Sequence, residues 1–449
     1  MVILFVSLLI LMILCLNIEK NEYVAPAFIF CASFVFSCAW ATVYAREWSL
    51  NLHFNTYWVV FGGVLEFTLV AYLTKLFLRK TNTRFRLSDY TVYKTVPIEI
   101  NNFYSLMIIA IEVFTILFTL YEIRVATGIS NIASALVYYN DITKFTEDSI
   151  VFHHAGLLYL FWDIADAIGF WITYVLANTL IDKKFAKLPA AILVLSMLSS
   201  VFRGARTNAL CKLICFFCAY IILLRRNAEI KRKAIKTRFI VMIVVAAVIF
   251  IIGFKQFGVL MGRTINQTGT DYVAMYCGSE IKNLDTFLKE DKKGIIDSFV
   301  DSQTFYVFLK WLKPKIGISG KTLAVLPQRY IKGITLGNVY TTFYQYIYDF
   351  GYAGLILLVA LMSFLSQLSY EYAKSFREQW TVPISLVVYS YIFPSLVLSF
   401  FSNKFYERQF STSFIKYCMI WYILNLLLVK IKIKFGFRGS AGGLNVKRL

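Results

Sequence analysis

The chain has 449 residues, of which 59% are hydrophobic and 16% are charged, and its formal net charge is +20. Soluble globular chains carry about 25% charged residues, so this composition excludes an ordinary water-soluble protein. A basic excess fits nucleic acid, an anionic membrane surface or an anionic substrate, and nucleic acid is excluded because no segment offers a soluble basic face.

About eleven apolar runs approach the length of about 20 residues that a membrane-spanning helix needs. They lie at about 2–19, 24–45, 56–78, 102–122, 157–181, 186–202, 207–224, 239–261, 351–370, 381–402 and 412–430. The first run has no basic region before it and no small-residue cleavage site before Asn21, which favours a span over a signal peptide. The sequence therefore predicts an all-α polytopic membrane protein, with residues 1–449 forming a single integral membrane domain.

Lys and Arg collect in alternate loops, and basic loops mark the cytoplasmic side of a membrane. When eleven spans are drawn, every strongly basic loop falls on one side, with the N-terminus periplasmic and the C-terminus cytoplasmic in a bacterial inner membrane. The basic residues in question are Arg79, Lys80, Arg84, Arg86, Lys94, Lys183, Lys184, Lys187, Arg225, Arg226, Lys231, Arg232, Lys233, Lys236, Arg238, Lys374, Arg377, Lys430, Lys432, Lys434, Arg438, Lys447 and Arg448.

Two external segments are long, at about 123–156 and about 262–350. The second, the large loop, separates the eighth and ninth spans and far exceeds the usual connection of about 4–6 residues, so it is expected to be functional or folded. Apolar residues recur at helical spacing between Glu280 and Leu288 and between Ile295 and Leu312. They predict two amphipathic helices along the bilayer surface, followed by turns at Gly317, Gly320, Gly333 and Gly337.

The cysteines offer little evidence of a site. Cys211, Cys215 and Cys218 share one helical face, but no His or acid accompanies them, and a metal site needs a fourth ligand. Small residues packing between helices are the simpler explanation. No Asp-x-Asp pair lies in the predicted external segments, so we expect neither a metal clamp nor another cofactor.

The first candidate site is the arginine turn, residues 203–208, which read Arg-Gly-Ala-Arg-Thr-Asn between two spans. A guanidinium near a membrane is costly, and its rigid fork suits bidentate contact with phosphate oxygens. Arg203 and Arg206 therefore predict a diphosphate clamp, or else two arginines that reach out to lipid phosphates. The sequence leaves both readings open.

The second candidate site is the end of the large loop, where residues 337–343 read Gly-Asn-Val-Tyr-Thr-Thr-Phe and residues 349–354 read Asp-Phe-Gly-Tyr-Ala-Gly. Asp349 is predicted at the N-terminus of the ninth span, as a helix cap or as a general base or sugar ligand. The neighbouring tyrosines predict either an aromatic interface belt or sugar stacking; they are Tyr340, Tyr344, Tyr346 and Tyr348.

Four acids fall inside predicted spans, where ionisable residues are functional candidates. They are Glu66, Glu112, Asp163 and Asp166. In a transporter these acids would bind protons or cations. In an enzyme they would line a polar cavity or pair with arginines such as Arg203.

The two motifs together resemble those of the O-antigen polymerases, membrane enzymes of Gram-negative envelopes, and the large loop in the second half is similar too. The resemblance implies a GT-C-like fold and a glycosyltransferase that acts on the periplasmic face. Its substrate would be oligosaccharide repeat units linked to undecaprenyl diphosphate, which it would join into O-antigen polysaccharide. It also implies a partner protein that regulates chain length.

The resemblance has one departure. Some family members carry a motif in which an arginine is followed at fixed spacing by a glycine. At that spacing Phe217 follows Arg206 and Tyr340 follows Arg329, so the family's arginine roles do not transfer directly.

The chemistry that the resemblance implies assigns roles to residues already named. Cations must hold the negative charge on the leaving lipid diphosphate, for which Arg206, Arg203, Arg263 and Arg329 are the candidates, while Asn338 and Tyr340 would contact sugar. A base must accept the proton of the acceptor hydroxyl, and Asp349 is preferred. The other candidate bases are Glu280, Asp271 and His154. Two other functions remain open: an O-antigen ligase, and a lipid-linked oligosaccharide flippase or other transporter, against which the lack of an internal repeat counts.

Overall fold

The computed structural model describes residues 1–88, 98–145, 150–181, 186–227, 241, 269–290, 296, 298–318, 326–376 and 381–430. The structure is mostly helical. In chain order its helices are α1 (Val2–Ile18), α2 (Pro26–Val43), α3 (Phe54–Thr81), α4 (Thr83–Ser88), α5 (Asn102–Thr127), α6 (Ile132–Phe145), α7 (Ala155–Ile181), α8 (Lys187–Phe202), α9 (Arg206–Arg226), α10 (Gly269–Cys277), α11 (Ser279–Lys289), α12 (Tyr306–Leu312), α13 (Phe343–Lys374), α14 (Ile384–Val397), α15 (Lys404–Gln409) and α16 (Thr412–Asn425).

Seven helices in the described part of the chain are long and apolar enough to cross a membrane, which indicates a membrane protein. They are α2, α3, α5, α7, α9, α13 and the run Thr412–Val429. Three shorter apolar helices, α1, α8 and α14, occupy three further predicted spans. The eleventh, at 239–261, lies outside the described residues except for Val241. The all-helical membrane class is therefore confirmed, and the count of eleven stays a prediction.

Local capping explains where several of these helices begin. The His53 side chain accepts a hydrogen bond from the Asn55 backbone at the start of α3, and the Asn101 side chain accepts one from Phe103 at the start of α5. Ser411 serves the same purpose for α16. Side-chain oxygens and nitrogens at these positions satisfy backbone donors that the helix itself leaves unpaired.

Helix α7 lies at the centre of the bundle and is buried along most of its length. It packs against α5, α8, α9 and α16. The close approach to α8 and α9 depends on Gly169, because a Cβ there would lie 2.1 Å from Ser196 Oγ and 2.8 Å from Lys212 Cε. A second packing group joins α2, α3, α13 and α14. One continuous apolar core runs through both groups.

The segment that follows α5, predicted to be external, is folded. Helix α6 packs on α5, and a small apolar cluster fixes it there; its buried members are Ile123, Ala135, Tyr139, Phe152 and Leu158. Burial of this cluster accounts for an ordered segment between two spans.

The large loop is folded against the bundle. Helix α11 packs on α2 and α3, and the Asp285 carboxylate accepts hydrogen bonds from the His53 backbone and the Thr56 hydroxyl, both 2.8 Å away. Both its polar and its apolar side chains are buried, because it covers the ends of α2 and α3. Its predicted position along the bilayer surface stays a prediction.

The second predicted amphipathic helix is shorter than expected. The described residues form a 3₁₀ turn at Phe299–Asp301 and then α12, with residues 302–305 turning between them. A further difference is an antiparallel hairpin of β1 (Arg329–Ile331) and β2 (Ile334–Gly337), where only glycine turns were predicted. Gly333 and Gly337 have positive φ there, which accounts for both glycines. Gly320 lies outside the described residues.

At the opposite end of the bundle, the C-terminal ends of α1, α3, α9 and α13 meet. Lys75 pairs with Glu19, Arg225 lies 3.3 Å from a Glu22 oxygen, and Lys374 lies 3.2 Å from Glu371. These helix ends carry part of the predicted basic loops. Cations there also interact favourably with the helix dipoles.

Candidate functional site

One buried carboxylate organises the helices around the arginine turn. Asp166 on α7 pairs with the Arg203 guanidinium and lies 2.8 Å from Lys212 Nζ on α9. It also accepts hydrogen bonds from three neutral donors on α8, α9 and α16, namely Ser200, Asn208 and Tyr417. The expected pairing of an intramembrane acid with Arg203 is confirmed. One side chain thus ties four elements together.

The arginine turn is fixed by this contact and by its own backbone. Gly204 has φ +78°, a conformation that favours glycine, and Arg203 lies over the Trp162 ring at 5.5 Å. Because Arg203 is already neutralised by Asp166, its geometry fits a positioning role better than a direct phosphate contact. Arg206 begins α9 three residues after Arg203 and is half-buried.

Two further intramembrane charges flank this cluster. Asp163, one turn before Asp166, lies 2.6 Å from Lys416 Nζ. Glu112 on α5 is fully buried, and neither of its carboxyl oxygens has a hydrogen-bond partner. Glu66, the fourth acid, lies on α3 away from this group.

Asp349 is not a cap for its own span. Helix α13 begins at Phe343 and is interrupted only at Gly351, so Asp349 lies inside its first segment. Its buried carboxylate accepts hydrogen bonds from the Ser302 hydroxyl and the Thr304 backbone, both 2.7 Å away, and from the Gln303 backbone at 3.1 Å. The cap prediction is therefore wrong. The carboxylate holds residues 302–304 of the large loop against α13.

The other loop candidates are also engaged in holding the loop together. The Arg329 guanidinium forms two hydrogen bonds with Glu290 and donates a third, at 3.0 Å, to the Tyr340 hydroxyl. Tyr340 is buried and donates to the Pro327 carbonyl. Asn338 is exposed, while Arg263 lies outside the described residues.

Burial corrects both predictions for the tyrosines. Tyr340, Tyr344 and Tyr346 are at most 2% exposed, so these three neither form an interface belt nor offer a face to sugar. They fill the space between the large loop and the bundle, where Tyr340 and Tyr344 lie 4.3 Å apart between ring centroids. Phe287 of α11 packs on the same stack.

The structure distinguishes the four candidate bases. Glu280 is buried with neither carboxyl oxygen hydrogen-bonded, Asp271 accepts from the Tyr44 hydroxyl, and Asp349 accepts three bonds. His154 Nδ1 lies 2.8 Å from the buried Glu122 carboxylate, while about half of the imidazole is exposed. An imidazole oriented by a carboxylate is the arrangement that general bases use.

His154 also lies near the arginine turn. Its ring is 6.3 Å from Phe118, and the aromatic cluster that contains Phe152 and Trp162 continues to Arg203. His154 and the arginine turn thus lie near one another at one end of the bundle. Asp349 and Arg329 belong to a second region, on the large loop.

Helix α15 joins these two regions. Asn403 at its start donates to the Thr304 carbonyl and accepts from the Tyr346 hydroxyl, which ties it to the large loop. Four residues after its first residue, Arg408 reaches between α7 and α14 and lies over the Tyr391 and Phe170 rings at 4.3 Å and 5.4 Å. A buried cation therefore stands between the two groups of candidates.

Sequence reasoning missed four charged residues of this arrangement: Glu122, Lys212, Arg408 and Lys416. Lys212 interrupts a predicted span, and the argument that made intramembrane acids candidates applies equally to a cation. Arg408 gave no comparable signal, because it lies in a short external loop that looked ordinary. Only packing reveals that this loop folds inward.

No family model matches this chain, and neither a curated protein nor a solved structure shows a significant match. The resemblance to the O-antigen polymerases therefore depends on the two quoted motifs and the layout of the spans.

Proposed function

We propose that this protein polymerises oligosaccharide repeat units linked to undecaprenyl diphosphate, on the periplasmic face of a bacterial inner membrane. The observation that carries the proposal is that the candidate site residues and the basic helix ends lie at opposite ends of the bundle. The arginine turn and the docked large loop share one end through α15, while the basic helix ends meet at the other. By the positive-inside rule the second end faces the cytoplasm.

The geometry supports specific roles in such a reaction. An acceptor hydroxyl oxygen forms a bond to the anomeric carbon of the donor, the bond from that carbon to the diphosphate oxygen breaks, and the lipid diphosphate leaves with the electron pair. Arg206 would bind the leaving diphosphate, with Arg203 and Asp166 positioning the turn. His154 would take the hydroxyl proton, with Glu122 orienting its ring.

The decisive experiment is complementation of a strain that lacks the gene, with surface polysaccharide resolved by length. The intact protein is expected to restore a ladder of lengths, and its absence to leave a single repeat unit. If the strain without the gene loses every band that carries a repeat unit, including the single-repeat band, the protein is a ligase or a flippase instead. A ladder that persists without the gene would refute the proposal.

Arg206→Ala is expected to insert normally and to abolish the ladder, because the developing diphosphate charge loses its cation. Arg124→Ala is the matched control, since Arg124 is an exposed arginine at the outer end of α5. His154→Gln is expected to slow extension by about 10²–10⁴-fold, the usual contribution of a general base. A full ladder from Arg206→Ala would remove that residue from the site.

A transporter remains the second candidate, and the observation in its favour is the buried charge inside the bundle. Asp166, Lys212 and the hydrogen-bond-free Glu112 lie between α5, α7 and α9, and intramembrane charges commonly mark ion pathways. Reconstitution in proteoliposomes separates the two. An enzyme lengthens purified lipid-linked repeat units in detergent without added metal, whereas a transporter moves them only across a sealed bilayer.

A further inference from the structure

Arg408 is half-buried, and the two terminal nitrogens of its guanidinium are buried donors. Both Nη1 and Nη2 are shielded from solvent and neither has a hydrogen-bond partner. The guanidinium packs on the aromatic faces of Tyr391 and Phe170. These rings stabilise the charge through cation–π attraction.

The carboxylates around Arg408 are committed to other cations. Asp166 is shared by Arg203 and Lys212, Asp163 pairs with Lys416, and Glu407 pairs with Lys404. No carboxylate in the described part of the chain forms an ion pair with Arg408. A buried charge without a partner is destabilising, so this residue is retained at a cost to the fold.

The position of Arg408 matches the requirements of a ligand contact. Helix α15 is anchored to α13 by the Tyr406 hydroxyl, which donates to the Leu358 carbonyl at 2.7 Å, and to the large loop by Asn403, which donates to the Thr304 carbonyl. Arg408 lies on the same short helix, and its charge acts on Cys211 and Cys215 of α9, the helix that begins at Arg206. The helix that carries Arg408 therefore connects the large loop with the helix that follows the arginine turn.

We propose that Arg408 binds a phosphoryl oxyanion through the Nη1 and Nη2 edge of its guanidinium. That edge offers two parallel donors in the geometry that phosphate oxygens accept, while the two aromatic rings hold the guanidinium plane. The diphosphate of a lipid-linked donor, which follows from the proposed function, and the headgroup phosphate of an anionic lipid share this chemistry.

Arg408→Met tests the proposal, because methionine fills the same aromatic slot without charge or donors. In the purified full-length protein we expect sodium pyrophosphate to raise the wild-type melting temperature with concentration. Arg408→Met is expected to melt at a higher temperature without pyrophosphate and to bind it at least about tenfold more weakly, a loss typical of one charge-assisted bidentate contact. Arg124→Met should respond like the wild type.

Arg408→Lys provides a second variant, since lysine keeps the positive charge but lacks the two parallel donors of the guanidinium. We expect intermediate pyrophosphate affinity from it. If the wild type binds pyrophosphate, equal affinity in Arg408→Met would overturn the proposal. So would the absence of any response to either phosphoryl ligand in the wild type.

Nanodiscs distinguish the two sources of the phosphoryl group. If the ligand is a lipid headgroup, the wild type retains phosphatidylglycerol in native mass spectra, Arg408→Met loses it, and pyrophosphate has no effect. If the ligand is a diphosphate, retention of phosphatidylglycerol is the same in both proteins. Neither the pyrophosphate measurement nor the lipid measurement uses a glycan. The result for the anion site is therefore independent of the result for the polysaccharide ladder.

Discussion

At the scale of single residues, two carboxyl groups of similar burial have opposite environments. Asp349 is surrounded by donors from residues 302–304, whereas Glu280 on α11 has no hydrogen-bond partner. Burial raises the pKa of Glu280 well above its ordinary value.

Asp349→Asn is expected to loosen the large loop. Asparagine offers only one acceptor oxygen, so at least one of the three donors is left buried without a partner, at a cost of about 1–3 kcal/mol. Faster cleavage of the loop in limited proteolysis would show this. Asp301→Asn is the control, since the Asp301 side chain is 59% exposed, and an unchanged cleavage rate in Asp349→Asn would contradict the assignment.

Glu280 predicts a pH-dependent stability. Above the ordinary pKa of 4.5 the unfolded state releases its proton while the folded state keeps it. The stability contributed by protonated Glu280 is therefore fully present below that pKa and is lost as the pH rises through the pKa of the folded state. The expected slope is about 1.4 kcal/mol per pH unit.

The measurement is the free energy of unfolding from pH 5 to pH 8, in wild type and in Glu280→Gln. The difference between the two proteins is expected to grow with pH, because glutamine cannot ionise. Glu47→Gln serves as the control, since Glu47 is exposed in the turn after α2. Parallel pH curves for wild type and Glu280→Gln would show that the folded state does not hold the proton.

At the scale of elements, α13 is the helix that joins the large loop to the membrane bundle, and it is broken at one residue. Gly351 has φ +65° and ψ −161°, a region that is almost exclusive to glycine. The break separates the segment that holds the large loop, including Asp349, from the apolar span that follows. It lets the two segments run in different directions.

Gly351→Ala is expected to lower the melting temperature of the purified protein, because the backbone strain costs about 1–3 kcal/mol. Space is not the reason, since a Cβ at Gly351 would meet nothing within 4 Å. Gly62→Ala in α3 has equal space and no positive φ, so it is expected to be neutral or stabilising. Equal effects from the two variants would show that the break imposes no strain.

At the scale of the whole molecule, two groups of polar and charged contacts in the described part of the chain lie at opposite ends of the bundle. One end carries the arginine turn, α15 and the docked loop. The other carries the paired helix ends around Glu19, Glu22 and Glu371. The proposed orientation makes the first end periplasmic, and this can be measured without knowing the substrate.

Cysteine labelling tests that orientation in intact cells. All eight native cysteines are buried or half-buried, so a membrane-impermeant maleimide is expected to give little background. Thr207→Cys, exposed in the arginine turn, should be labelled, and Thr83→Cys, exposed at the start of α4, should not. The reverse pattern would place the arginine turn in the cytoplasm, where the proposed periplasmic reaction has no substrate.

Hydropathy was sufficient to predict the helical membrane class and the positions of the described spans, because each span must satisfy its own backbone in lipid. The same rule located Asp163 and Asp166 as buried charges. It could not say which cations would reach them. Lys416 is distant in sequence from Asp163, and only the packing of α16 on α7 brings them together.

The roles of the loop residues were decided by tertiary structure alone. Asp349 had the chemistry of a helix cap, yet its partners came from a segment more than forty residues earlier. Arg408 appeared to be an ordinary loop residue, but in the structure its side chain reaches between α7 and α14. Sequence determines which residues must leave water, whereas the partner of each buried polar group depends on contacts between distant segments, which no local pattern encodes.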